Sequence, residues 1–300
     1  MCNKYKTLAE YFAGIFPGKI RKITVNAGMK CPNRDGTVGT GGCIYCNNSA
    51  FSPSYAIRAG GTVTSQIRNG IQFSKSKGNA WGYLPYFQTF TGTYGNTEIL
   101  KALYEEALQY PKVAGIVIAT RPDCISDDLL DWMDSRFGNK APEDHPYLLV
   151  EVGIESTIDR TLSLINRGHS YECACKAVNR LNGHGIPVGA HIILGLPGEN
   201  HEDFMNHARR LSELPLSTLK LHQLQIVKGT ELERMYQANP NSIKLFTVQE
   251  YAETVAEFIR LSNKDLAFDR FVSESPRNMV VAPSWGIKPA EFQQMVNRLL

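Results

Sequence analysis

The 300-residue sequence predicts an α/β protein built as a partial TIM-like barrel of six strand–helix units, (β/α)6, with a C-terminal helical and strand extension. Three observations predict it. Short β-rich runs alternate with longer helical patterns, which is the order of a parallel sheet with right-handed crossovers. The strand runs are strongly apolar, residues 113–119 most of all, as strands buried on both faces must be. Six units fall short of the eight that close a barrel, so the sheet is expected to stay open on one side.

Residues 19–26 are the first predicted strand and lead straight into a glycine-rich loop over 31–46. A helix follows at 64–75, then an aromatic-rich second strand at 83–90, the turn Thr91-Gly92-Thr93-Tyr94, and a helix at 97–109. The third strand, 113–119, is broken by Thr120-Arg121-Pro122-Asp123, after which Ser126 is a good N-cap for a helix over 127–137. A fourth strand is predicted at 147–154, with helical patterns at 159–165 and 171–182. The fifth strand, 187–194, ends in Gly195-Leu196-Pro197-Gly198 and precedes a helix at 202–214 and a sixth strand at 218–227. Beyond it come helical patterns at 230–237 and 248–262, a short strand near 267–272 and a last helix at 289–300. This divides the chain into a core over 1–227 and an extension over 228–300 packed on it. In such sheets function gathers at the C-terminal ends of the strands, where the cysteine loop and the segments after strands two to five converge.

The charge balance, 32 basic against 29 acidic residues, is a mild +3 that permits a nucleic-acid partner without arguing for one. Basic and aromatic residues near the N-terminus (Lys4, Tyr5, Lys6, Lys19, Arg21, Lys22) are a candidate patch, although a solvated face explains them better. Seven cysteines, an odd number, fit a reducing compartment better than a disulfide scaffold. No secretory leader is evident and no apolar run approaches the ~18 residues that span a bilayer, so a soluble, cytoplasmic protein without membrane contact is expected.

Three cysteines fall in the loop over 31–46, spaced Cys31-x11-Cys43-x2-Cys46, with four glycines and no large apolar side chain between the first two. The loop has no core for its thiols to fill, but its backbone can wrap a ligand closely. Clustered thiolates of this kind take a soft metal or an iron–sulfur cluster. A structural zinc site is the rival, and it lacks a fourth nearby ligand. Cys173 and Cys175 lie two apart on a predicted helix and diverge. In the fourth strand Glu151, Gly153 and Glu155 alternate with Val150, Val152 and Ile154, so both carboxylates share one face. If the apolar face packs on helices, both acids point into the barrel.

The loop, with Tyr45 just before the final cysteine, resembles that of the radical S-adenosylmethionine (SAM) superfamily. The gap of eleven is similar to the branch holding the Elongator-type tRNA-modifying enzymes and the YhcC-type proteins, and the chain length favours the YhcC type. Further matches run over residues 20–227. Thr91, Gly92 and Thr93 stand where the family holds the amino group of SAM, although they depart from its usual Gly-Gly-Glu. Arg121 resembles the family's ending of strand three. Glu155-Ser156 falls where relatives have Gln-Ser beside SAM, and Asn166-Arg167-Gly168-His169 matches a segment whose arginine meets SAM's polar groups. His191 to Gly198 resembles the glycine motif along the adenine, with Gly195 at its turn, and His222 borders the same pocket.

This resemblance implies a 4Fe–4S cluster on Cys31, Cys43 and Cys46, whose open iron chelates SAM. It implies reductive cleavage of SAM to a 5′-deoxyadenosyl radical, an external one-electron donor such as a flavodoxin or ferredoxin, and an unidentified substrate for which tRNA is a candidate. Cys124, at the barrel mouth, is a candidate hydrogen-atom donor. The alternative is a non-catalytic protein, a zinc-holding adaptor or a cluster-bearing electron carrier.

Overall fold

The computed structural model describes residues 4–50, 54–57, 61–138, 145–273 and 275–300. In chain order its elements are α1 (Leu8–Ala13), β1 (Ile20–Val25), α2 (Ser54–Ile57), α3 (Val63–Ser74), β2 (Gly82–Phe87), α4 (Thr97–Leu108), β3 (Gly115–Thr120), α5 (Asp127–Phe137) and β4 (Tyr147–Glu155). They continue with α6 (Asp159–Leu164), α7 (Tyr171–Gly183), β5 (Val188–Leu194), α8 (His201–Ser212), β6 (Thr218–Gln223), β7 (Ile226–Val227), α9 (Glu231–Ala238), α10 (Val248–Leu261), β8 (Ala267–Arg270), β9 (Val280–Ala282) and α11 (Pro289–Leu299).

Seven strands, not six, form the parallel sheet, in the order β1-β2-β3-β4-β5-β6-β8. The seventh comes from the C-terminal region, where Ala267 pairs with Thr218 of β6. The predicted sixth strand also divides. Its last two residues leave the sheet as β7 and pair antiparallel with β9. The sheet curls into a half-barrel, and one ion pair shows how far: Lys22 on one edge strand meets Asp269 on the other at 2.6 Å.

Alternation along β4 sorts its side chains. Leu148, Val150, Val152 and Ile154 join the large core between sheet and helices. Tyr147 and Leu149 turn the other way, into a second core with Leu84, Tyr86, Val117 and Ala119. That inner core is completed by Phe12 and Phe16, so α1 and the turn after it plug the N-terminal end of the barrel. Helix α1 is short but well capped: Thr7 and Glu10 make a reciprocal capping box. Just before it, the Phe268 N–H donates to the Lys6 carbonyl at 2.8 Å, which covers the outer edge of β8.

The N-terminal basic and aromatic residues therefore do not form one patch, although Lys4 and Lys19 are exposed. Tyr5 is buried against Phe268 and Phe271, and Lys22 points into the barrel. Among the described residues no helix is long and apolar enough to cross a membrane.

Candidate active site at the cysteine loop

The loop that follows β1 folds over the C-terminal end of the barrel. Its shape is held by side chains rather than by a core. The Asn33 carboxamide donates to the Asn166 carbonyl at 2.5 Å and approaches the Cys43 thiol at 3.7 Å. Asn166 returns a bond to the Gly42 carbonyl at 2.8 Å, and Arg34 donates to the Cys46 carbonyl at 2.7 Å. The loop after α6 thus serves as a template for the cysteine loop. Asn166 itself sits at φ 53°, a conformation that asparagine tolerates better than most residues.

Cys31, Cys43 and Cys46 line one cavity of about 180 Å³ together with Tyr45, Thr91, Glu155, Arg167, His191 and His222. Nine of the residues nominated from the sequence therefore share one space. Among the described residues no three His, Cys, Asp or Glu side chains are drawn together tightly enough to hold a single metal ion. Arg167 is the hub. It donates to the Cys43 sulfur at 3.5 Å and to the Gly153 carbonyl at 2.7 Å, and stands 3.6 Å from Glu155. Burial pushes the Glu155 carboxyl up, against the pull of Arg167 and Arg121. The Arg167 guanidinium lies across β4 because residue 153 has no side chain. A Cβ there would stand 2.7 Å from both Arg167 Nη2 and Glu155 Oε1. Gly153→Ala is expected to cost about 1–3 kcal/mol, read as a lower midpoint in a denaturant titration.

Three buried polar atoms of this lining have no protein partner: Thr91 Oγ1, Arg121 Nη1 and Arg167 Nε. Buried polar groups are nearly always satisfied, so orphans on a cavity wall point to a ligand. Arg121 is otherwise fixed by a bidentate contact with Asp123, at 2.9 and 2.7 Å.

The other nominated residues lie outside the cavity lining. Gly92 packs against β3, its N–H on the Ala119 carbonyl at 2.8 Å, where a Cβ would come within 2.6 Å of that oxygen. The Thr93 hydroxyl bonds the Cys124 carbonyl at 2.6 Å. Ser156 is buried and donates to Glu199 at 2.5 Å. Gly195 packs under Phe246 and lines a separate cavity of about 510 Å³ between the β5 loop, α8 and α10. Cys124 is half-buried, and burial together with Asp123 pushes its thiol up to about 12.

The floor of the cavity holds what the sequence did not reveal. Glu151 reaches the lumen as its strand parity requires, but it arrives in the middle of a charge network drawn from six strands. It accepts from Lys22 at 2.9 Å, Lys220 at 2.6 Å, Tyr86 at 2.6 Å and His191 at 2.7 Å. Asp269 joins both lysines, at 2.6 and 3.2 Å. Burial alone would raise both acids, but Lys22 and Lys220 hold Glu151 well below the usual carboxylate range and Asp269 at about 2. Burial and the Lys220 charge push His191 down to about 4, and burial and Arg270 push His222 down too, so both imidazoles are neutral at pH 7. The one sequence signal was lysine at inward parity inside apolar runs, as in Leu219-Lys220-Leu221.

Comparison with known proteins agrees with this arrangement. The profile described as "Radical SAM superfamily" matches residues 35–211, and "Radical_SAM C-terminal domain" matches 216–300. The uncharacterized protein YtqA of Bacillus subtilis is 31% identical over 99% of this chain and 90% of its own length. Protein YhcC of Escherichia coli K12 is 32% identical over 89% of this chain and 82% of its own. A tRNA uridine(34) acetyltransferase of Methanocaldococcus infernus is 23% identical over 63% of this chain and 33% of its own. Among solved structures, Elp3 of Methanocaldococcus infernus superposes with a TM-score of 0.69 at 17% identity, covering 93% of this chain and 62% of that one, which supports the fold. The cofactors of this superfamily are a 4Fe–4S cluster and SAM. The chain belongs to the radical SAM superfamily.

Proposed function

We propose that the chain is an enzyme that cleaves SAM reductively, with the cluster on Cys31, Cys43 and Cys46. The observation that supports this most is the convergence in one cavity of three cysteines with three unpartnered polar atoms. Three thiolates leave a 4Fe–4S cluster one iron short of full protein ligation, which suits a chelating cosubstrate. Cys31, Cys43 and Cys46 would hold the cluster, which would supply the single electron for reductive cleavage of a C–S bond of SAM.

The chain's own groups have distinct tasks in this reading. Arg167 and Asn33 direct N–H groups at the Cys43 sulfur, and such contacts raise a cluster's potential. Thr91, Arg121 and Arg167 offer hydrogen-bonding atoms to the polar end of SAM, guanidinium to carboxylate being the strongest such pairing. Glu155, His191 and His222 border the space left for the adenosyl part and the substrate. The apolar plug from α1 closes the far end and keeps water out. Radical SAM enzymes draw their electron from outside, so a flavodoxin- or ferredoxin-like donor is the proposed partner.

Anaerobically reconstituted protein, given dithionite and SAM, is expected to form 5′-deoxyadenosine; protein with a full cluster that forms none contradicts the reading. We further propose tRNA as the substrate, supported by the partial likeness to a tRNA uridine(34) acetyltransferase. Adding bulk tRNA is expected to raise 5′-deoxyadenosine above its uncoupled level, and an unchanged yield counts against tRNA.

A further inference from the structure

Phe90, three residues beyond the end of β2, breaks two ordinary rules. It is a bulky residue at φ 58°, in the left-handed region that such side chains avoid. It is also 39% exposed, although it lies on the wall of the cysteine cavity. Phe73 and Trp81 are the other exposed large aromatics among the described residues, and neither lines this cavity. The unusual backbone is held by a particular contact. Asn48, two residues after Cys46, accepts the Phe90 N–H on its Oδ1 at 3.0 Å and directs its Nδ2 toward the Cys46 sulfur at 3.8 Å. The Phe90 backbone is therefore tied to the cluster loop as well as to β2. Strained residues of this kind cluster where a ligand is gripped. Two primary amides, Gln88 and Gln225, line the same cavity; the Gln88 Oε1 accepts from Thr24 at 3.5 Å and the Gln225 Oε1 from Ser275 at 2.9 Å, and each amide can still donate through its NH2.

We propose that Phe90 is a stacking platform for a nucleobase of the substrate, whose edge is read by Gln88 and Gln225. An exposed ring face, paired with amides that match a donor–acceptor edge, suits a planar heterocycle better than a sugar or an aliphatic chain. The proposal rests on the reading of this cavity as the radical site and narrows its substrate class. The base would share the cavity with the SAM-facing residues, since Phe90 immediately precedes Thr91.

Binding separates the two claims, because it needs no turnover. The reconstituted protein is titrated with a fluorescent single-stranded RNA decamer of mixed sequence and with an abasic decamer of equal length and charge. The native decamer is expected to bind at least about tenfold more tightly, the size of one stacked base. Phe90→Ala is expected to erase that preference while Phe90→Trp keeps it, which guards against a merely misfolded alanine variant. Equal affinity for the two decamers, no detectable binding, or a preference that survives in a folded Phe90→Ala protein overturns the proposal. SAM cleavage by the wild-type protein reports separately on the radical reading.

Discussion

Cys43→Ala is expected to leave the protein without a 4Fe–4S cluster after anaerobic reconstitution, and to drop 5′-deoxyadenosine formation to the level of cluster-free protein. Cys43 is the buried member of the three and receives two N–H···S contacts, from Arg167 and Asn33. No other cysteine of the described residues lines the cavity, so no thiol stands ready to replace it. Iron and sulfide analysis with the visible spectrum checks the first half, and chromatography of the SAM products checks the second. A Cys43→Ala protein that still holds four irons and cleaves SAM would mean that the ligand set is misassigned. Arg167→Lys separates ligation from tuning, since it keeps a charge near Cys43 but loses the fork that also grips Gly153.

The second large effect concerns the floor. Replacing Glu151 with leucine leaves Lys22 and Lys220 facing Asp269 alone, in a nearly dry interior. Removing one partner from such a network costs about 3–5 kcal/mol, mostly as the uncompensated charge left behind. The expected result is a large fall in the denaturation midpoint, partly restored in Glu151→Leu/Lys220→Met, where charge balance returns. A double-mutant cycle measures the coupling. A single-variant cost below about 1 kcal/mol would show the network to be solvated.

The same groups set the acid limb of stability. Glu151 and Asp269 have folded values below their unfolded ones, about 4.3 and 3.9. Their contribution is therefore present above about pH 4 and lost as the pH falls from there toward about 2. Midpoints measured across that range are expected to fall steeply in the wild type and less so in Glu151→Leu.

Much of this was legible because it is local. The cysteine spacing, the Ser126 cap and the apolar runs each lie within a short window, and helix α5 occurs at the residues predicted for it. The parity of Glu151 was legible too, since alternation along one strand fixes a face. Its partners were not, because Lys22 and Asp269 lie 247 residues apart and meet only through the sheet's curl. Register across seven strands has no local signature. The seventh strand was legible as a short strand near 267–272, but its place in the sheet was not, because four residues remote from the six regular units carry no sign of their pairing with β6. Helix α1 did carry a signal, Thr7 with Glu10 three residues on, but its six residues are too few to show a period. Phe90 could not be singled out at all, because neither a backbone angle nor exposure on a cavity wall is written in the residue type.

The central claim is that the three-cysteine set leaves one iron for SAM, and electron paramagnetic resonance tests it most directly. Reduced, reconstituted protein should give a 4Fe–4S signal whose g-values shift when SAM is added, with no shift from 5′-methylthioadenosine, which lacks the amino and carboxylate groups, at equal concentration. A cluster signal indifferent to SAM would make the chain an electron carrier, and protein that binds one zinc without sulfide would make the loop a structural metal site.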